Sequence, residues 1–390
     1  MGKRFLFGGS SLWVLGSVVA VAGCGEPARN TTPTAGTATS TQVATANTAQ
    51  TVAPTTTQSA ASAPPTAEPA PLPRPRGLAR KDGSAADESL LKGDAAYESG
   101  DFAVAEDAYR KAMQLAPKDP APIVGLARSR LAKENVPVDF NSAPKDATLA
   151  AMIKELARAV KLDDRYAPAH LELGRALLVQ GKAKEALASI DRALELDGSD
   201  PEAHSARGVG LLASGDIDGA TKELARAAEL DPNSAARQSN VGTALLASGR
   251  VDEAIAAYRR ALALAPNDPG TLNDLGTALL AQAKPDEAIP FLEKAGELQP
   301  KSGILRQNLA YAHHLKGEFD KAESLYREAL ALDDTLISAW VNLGNLLAQR
   351  GKLADARAAY EHAAKVDATD PRVQTAFAEL DEIEKKNKKK

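Results

Sequence analysis

Residues 235–266 read AARQSNVGTALLASGRVDEAIAAYRRALALAP, and this stretch decides the fold. Its first half places Val241 and Leu245 on one helical face, and its second half does the same with Ile255, Tyr258 and Leu262. Gly249 between the halves suits the left-handed cap that ends a helix, and Pro266 stops the second one. Gly242, Ala254 and Ala261 are small, so the two helix backbones can approach closely.

The same pattern returns every 34 residues. Gly174, Gly208, Gly242 and Gly276 keep that period, and Gly344 falls two periods further on. Ala186, Ala220, Ala254, Ala288, Ala322 and Ala356 repeat with it, as do Ala193, Ala227, Ala261, Ala295, Ala329 and Ala363. A 34-residue period of this kind marks a stacked helix–turn–helix array. Stacking exposes one long concave face, so such a chain is first a binding surface.

In period and content the units resemble the tetratricopeptide repeat family. That family places a large apolar residue, Leu-Gly, a turn Gly, then Ala, an aromatic, Ala and Pro in each unit. The unit from Ala235 shows Val241-Gly242, Gly249, Ala254, Tyr258, Ala261 and Pro266; that from Ile337 shows Trp340, Leu343-Gly344, Gly351, Ala356, Tyr360 and Ala363. Eight units begin at Ala86, Pro120, Ala167, Pro201, Ala235, Pro269, Gly303 and Ile337. The departures are few. Met152 stands for Ala in the second unit, Ala283 for the turn Gly in the sixth, and Gly198, Asp334 and Ala368 for the closing Pro. The second unit carries an insertion near 134–146 with Pro137 and Pro144, which disfavour helix. The resemblance implies an all-α, right-handed α-solenoid over 86–370, with a capping helix and basic tail at 371–390.

Composition agrees. The chain is 44% hydrophobic but only 4% aromatic, which suits an Ala/Leu-rich array without one globular core. Its formal net charge is −4, and the excess of acid lies in the repeats, because the flanking segments are basic. An acidic array argues against a nucleic-acid partner. The closing KKNKKK reads as a solvated helix end.

Residues 1–23 have the form of a targeting signal: Lys3 and Arg4, the apolar run FLFGGSSLWVLGSVVAVAG, then Cys24. Val21-Ala22-Gly23-Cys24 resembles the lipobox of bacterial lipoproteins, and Cys24 is the only cysteine in the chain. The resemblance implies a lipid on Cys24 and a place in the bacterial cell envelope, on the outer membrane facing the periplasm. Residues 24–85, rich in Thr, Ala and Pro, lack the apolar mass to fold and read as a disordered tether.

Catalytic signatures are missing: no HExxH, no Walker loop and no Cys nucleophile. Gly208-Val209-Gly210-Leu211-Leu212-Ala213 matches a dinucleotide-type pattern, but it sits within a helix with no preceding strand. Adjacent His313 and His314 point about 100° apart on a helix and do not converge as metal ligands do; His313 is expected between helices and His314 toward the groove. His170 and His204 hold the fourth place of their units, where a bulky residue fills the helix interface. No enzyme activity, metal or cofactor is expected.

One constellation points to recognition. The sixth place of consecutive units is Asn240, Asp274, Asn308 and Asn342, while the two units before have Glu172 and Ala206. In the repeats of O-linked N-acetylglucosamine transferase, Asn at the matching place forms a ladder that grips an extended peptide backbone. The resemblance implies the same here, with Tyr311, Asn345, Asn273 and Gln307 adding to the groove. An amide suits the task because it both donates and accepts. The sequence thus predicts a membrane-anchored scaffold for protein or peptide partners in the cell envelope; the alternatives are a non-catalytic subunit of an envelope enzyme or of a secretion or pilus complex, or a cell-wall tether.

Overall fold

The computed structural model describes residues 77–133 and 146–388. Within them the secondary structure is seventeen α-helices and no strand. They form eight pairs: α1 (Ala85–Glu98) with α2 (Phe102–Leu115), α3 (Ala121–Lys133) with α4 (Ala147–Leu162), α5 (Ala167–Val179) with α6 (Ala183–Leu196), and α7 (Pro201–Ala213) with α8 (Ile217–Leu230). The remaining pairs are α9 (Ala235–Ala247) with α10 (Val251–Leu264), α11 (Pro269–Ala281) with α12 (Pro285–Leu298), α13 (Gly303–Leu315) with α14 (Phe319–Leu332), and α15 (Ile337–Gln349) with α16 (Leu353–Val366). Helix α17 (Pro371–Lys388) closes the all-α solenoid. The signal, Cys24, the linker to residue 76 and insertion residues 134–145 lie outside the described residues.

The fifth unit shows why each hairpin forms. Ser234 caps α9 by accepting from the N–H of Arg237. At the far end the N–H of Gly249 donates to the carbonyl of Leu246, and that of Arg250 to the carbonyl of Leu245. This double closure needs a left-handed residue, and Gly249 supplies it at φ 76°. In the sixth unit Ala283 takes the same conformation at φ 56°, with a Cβ to accommodate.

In all units but the second, where Gly125 faces Tyr109 of the preceding unit, a small residue receives a large one sixteen residues later. A Cβ on Gly242 would come within 2.7 Å of the Tyr258 ring. Gly93 stands equally close to Tyr109, Gly174 to Ile190, Gly208 to Leu224, Gly276 to Leu292 and Gly344 to Tyr360. Ala254 and Ala261 are fully buried at the same interface.

Successive hairpins then stack, each helix against the next. Odd-numbered helices also pack against the next odd-numbered helix along the whole array, from α1 against α3 to α15 against α17. Even-numbered helices approach one another less closely, touching through ion pairs such as Lys321–Glu293 at 3.7 Å. The odd helices are therefore the inner layer, on the shorter radius of a curved stack.

Two features differ from the sequence reading. The tether was carried to residue 85, yet Leu78 is buried in the first core cluster beside Leu90 and Tyr109. The order comes from carboxylates on α1 that accept its backbone N–H groups and from the one buried side chain, Leu78. The second concerns the fourth residue of the unit, which does more than fill an interface. Nε2 of His170 bonds the carbonyl of Asp164, Nε2 of His204 that of Gly198, and Nε1 of Trp340 that of Asp334. Gln238 and Gln374 donate in the same way to Pro232 and Ala368. Each side chain fastens the loop that enters its own helix.

These contacts predict substitutions of opposite sign. Ala283→Gly removes the left-handed strain and should stabilise by about 1 kcal/mol. Gly242→Ala gains about 1 kcal/mol of helix propensity but overpacks a rigid ring at about 1–3 kcal/mol, so a net loss of up to about 2 kcal/mol is expected. Urea melts of the two variants check both.

Candidate functional site: the inner face of the odd helices

The inner layer divides into two halves of different chemistry. In the first half the side chains are ionised and paired. Arg128 on α3 donates through Nε to Glu172 on α5 at 2.9 Å, and both side chains are buried. Arg175 on α5 lies 3.6 Å from Glu172 and 3.5 Å from Glu202 on α7. Glu202 in turn meets Arg237 on α9 at 3.1 Å, and Arg237 reaches Asp231 at 3.2 Å. One chain of alternating charge thus runs from the second unit to the fifth.

Burial alone would push the Glu172 carboxyl up, but Arg128 and Arg175 outweigh it and hold it below the usual carboxylate range. Desolvation would likewise lower Arg128, and Glu172 overcomes it. A charge removed from this chain strands another in the interior. In the sequence Glu172 only interrupts the Asn series, and nothing singles out Arg128, Arg175, Glu202 or Arg237. No 34-residue period marks them, because the bonds join different places in successive units.

In the second half the sixth places of the inner helices carry amides, but for Asp274. Asn240, Asp274, Asn308 and Asn342 fall on α9, α11, α13 and α15, all half-buried. Nδ2 of Asn308 donates to Oδ1 of Asn273 on the preceding odd helix at 2.7 Å. Asn273 reaches Asp274 at 3.5 Å. Three of the predicted groove residues, Asn273, Asp274 and Asn308, are thereby brought together across α11 and α13. The half-buried Tyr311 meets the ring of His314 edge-on, with centroids 6.4 Å apart. Asn345 is exposed but engaged within its own unit, where Oδ1 accepts from the Tyr360 hydroxyl at 2.6 Å.

The histidines bind protein groups. His313 is buried, with Nδ1 2.7 Å from Glu318. His314 is half-buried, and its Nε2 is held by Gln349 on α15, the next inner helix, at 2.9 Å. Among the described residues no cluster of three His, Cys, Asp or Glu side chains could hold a metal ion. The glycines of the dinucleotide-type pattern lie in α7, where a Cβ on Gly208 would strike Leu224 and one on Gly210 would strike Leu187. They serve helix packing.

Comparison with known proteins agrees with this architecture. Tetratricopeptide repeat profiles match residues 76–120, 143–209, 231–301, 279–335 and 314–380. The chain belongs to the tetratricopeptide repeat family. No curated protein sequence matches it. Among solved structures, the Cut9-Hcn1 hetero-tetramer of the APC/C superposes with a TM-score of 0.58 at 17% identity, over 76% of this chain and 56% of that one. The chain thus spans little more than half the length of that relative. The pilF protein of Pseudomonas aeruginosa gives a TM-score of 0.47 at 22% identity, over 55% of this chain and 98% of its own. A tetratricopeptide repeat protein from Parabacteroides merdae gives 0.46 at 15%, over 64% and 94%.

The charge chain carries its own prediction. Glu172→Gln should cost about 3 kcal/mol at neutral pH, because it leaves buried guanidinium without its counter-charge. The folded carboxyl titrates below its unfolded value, so its contribution is present above about pH 4.3 and fades as pH falls through the folded pKa. The gap between variant and parent should therefore close on acidification, as followed by chemical denaturation from pH 7 to pH 3.

Proposed function

We propose that the chain is a non-catalytic scaffold that seats an extended protein segment on the inner face of units five to eight. The observation that carries this reading is the amide row on α9, α11, α13 and α15. Asn240, Asn308 and Asn342 recur at one place on successive inner helices, with Asp274 between them. Each amide can bond a peptide N–H and a peptide C=O whatever the side chains, so recognition is backbone-based and broad. Asn308 spends one donor on Asn273 and keeps its oxygen and second N–H for a ligand. The charge chain of units two to five, satisfied within itself, supports a receptive half built on a stiff one.

The seat is tested by selecting twelve-residue peptides from a random library on the immobilised chain, then titrating the best against Asn308→Ala with Asn342→Ala. Each lost bond should cost roughly 0.5–1.5 kcal/mol of affinity. Helicity and melting should change little beyond the Asn308–Asn273 bond. Unchanged affinity sinks the ladder.

The scaffold is further proposed to act at the bacterial envelope, tethered through a lipid on Cys24. Support comes from the Val21-Ala22-Gly23-Cys24 sequence after a basic and apolar leader. No helix among the described residues is long and apolar enough to cross a membrane. Cys24→Ala should leave the leader uncleaved or release the protein from membranes on fractionation. A variant that is still processed and still sediments with membranes refutes the lipid anchor.

A further inference from the structure

Residues 77–80, Gly-Leu-Ala-Arg, are held as an extended ligand is held. The Leu78 N–H donates to Asp94 Oδ2 at 2.7 Å, the Ala79 N–H to the same oxygen at 3.1 Å, and the Arg80 N–H to Asp87 Oδ1 at 2.6 Å. Asp87 and Asp94 are two helical turns apart on one face of α1. Asp94 is itself oriented by the Tyr109 hydroxyl, which donates to Oδ1 at 2.8 Å. The Leu78 side chain is 2% exposed. Arg80 pairs with Asp119 at 2.8 Å and lies over the Tyr166 ring, 5.7 Å from its centroid.

The direction of these contacts separates a seated peptide from an end cap. Asp87 and Asp94 belong to α1, Asp119 immediately precedes α3, and Tyr166 precedes α5. The contacts thus extend past the open end of the array, through the second unit to the residue that leads into α5. This segment crosses the starts of three successive odd helices. It then reverses into α1 through Lys81 and Gly83, both left-handed, at φ 59° and 75°. The segment also leaves one acceptor unused: Asp87 is buried, and its Oδ2 has no hydrogen-bond partner among the described residues.

We propose that the first two units form a second peptide seat, selective for an extended segment with an apolar side chain followed two residues later by a guanidinium, and that residues 77–80 occupy it in cis. Its recognition groups are carboxylates: Asp94 and Asp87 for consecutive backbone N–H groups, and Asp119 with the Tyr166 ring for the cation. The chemistry differs from that of the amide row, and the two seats stand or fall separately. A segment joined directly to α1 has an effective concentration on the order of millimolar, so a free peptide competes poorly until the cis segment is weakened.

The experiment uses the full chain with Leu78→Ser and Arg80→Ser, and a fluorescent acetylated, amidated GLARK peptide (residues 77–81) as probe. The opened chain should bind the peptide at least tenfold more tightly than the unaltered chain. Adding Asp94→Ala to the opened chain should abolish binding, and replacing Arg by Glu in the peptide should weaken it at least tenfold. Equal binding by the opened and unaltered chains, or none by either, overturns the proposal; so does binding that ignores Asp94. Should the opened chain lose helicity, the unaltered chain still decides. Saturating peptide must speed hydrogen exchange at Leu78, Ala79 and Arg80, and unchanged protection refutes the seat.

Discussion

The distance between the two helices of a unit governs the rest of the molecule, and a missing Cβ sets that distance. At Gly242 the Tyr258 ring occupies the space a methyl group would fill. The tight hairpin buries Ala254 and Ala261 completely and leaves a second apolar face on each pair for the next unit. One core cluster consequently runs on from α8 to α17. The seventh unit shows how far the rule stretches. Ala310 stands where the others have Gly, and Tyr326 still packs there fully buried, with its hydroxyl left without a partner among the described residues. The large residue is therefore the firmer requirement, and the small one sets how closely it is approached.

Legibility in the sequence follows from what repeats. The helix pairs, the Gly turns and the buried Ala rows are each dictated by one place in the unit, so a 34-residue comparison exposes them. The fourth place was only half read. His170, His204, Gln238 and Trp340 differ in size, and what they share is an N–H aimed at a loop carbonyl. A pattern of hydropathy or volume passes over a shared donor. The buried charges were invisible for another reason. Arg and Glu on an exposed-looking helix face read as solvated, and the Arg128–Glu172 bond joins residues 44 apart, outside the period. Residues 77–80 were hidden by their Pro-rich surroundings, since their acceptors are supplied by α1.

The two halves of the inner face solve the stacking problem differently. In units two to five, helices are registered by paired charges whose burial is costly, so net stability gained over an apolar contact is small. What such a chain supplies is intolerance of misregister, since sliding one unit strands a guanidinium. Between the odd helices of units six to eight the links are neutral, Asn308 to Asn273 and His314 to Gln349, and ion pairs such as Arg350–Glu323 lie away from that layer. Neutral links are cheaper to break and to exchange for a ligand's groups.

That exchange ties recognition to shape. The Asn308 amide belongs both to the proposed ligand row and to the bond joining α13 to α11. A peptide that takes the second N–H and the oxygen leaves the inter-unit bond intact and strengthens the existing curvature. One that requires both N–H groups must break it, losing about 0.5–1.5 kcal/mol and loosening the inner layer at that step. Odd helices meet one another over few residues, so a single bond is a sizeable part of what fixes their spacing. On the proposed reading, the backbone geometry of the ligand, more than its side chains, would decide whether the array keeps its curvature or opens.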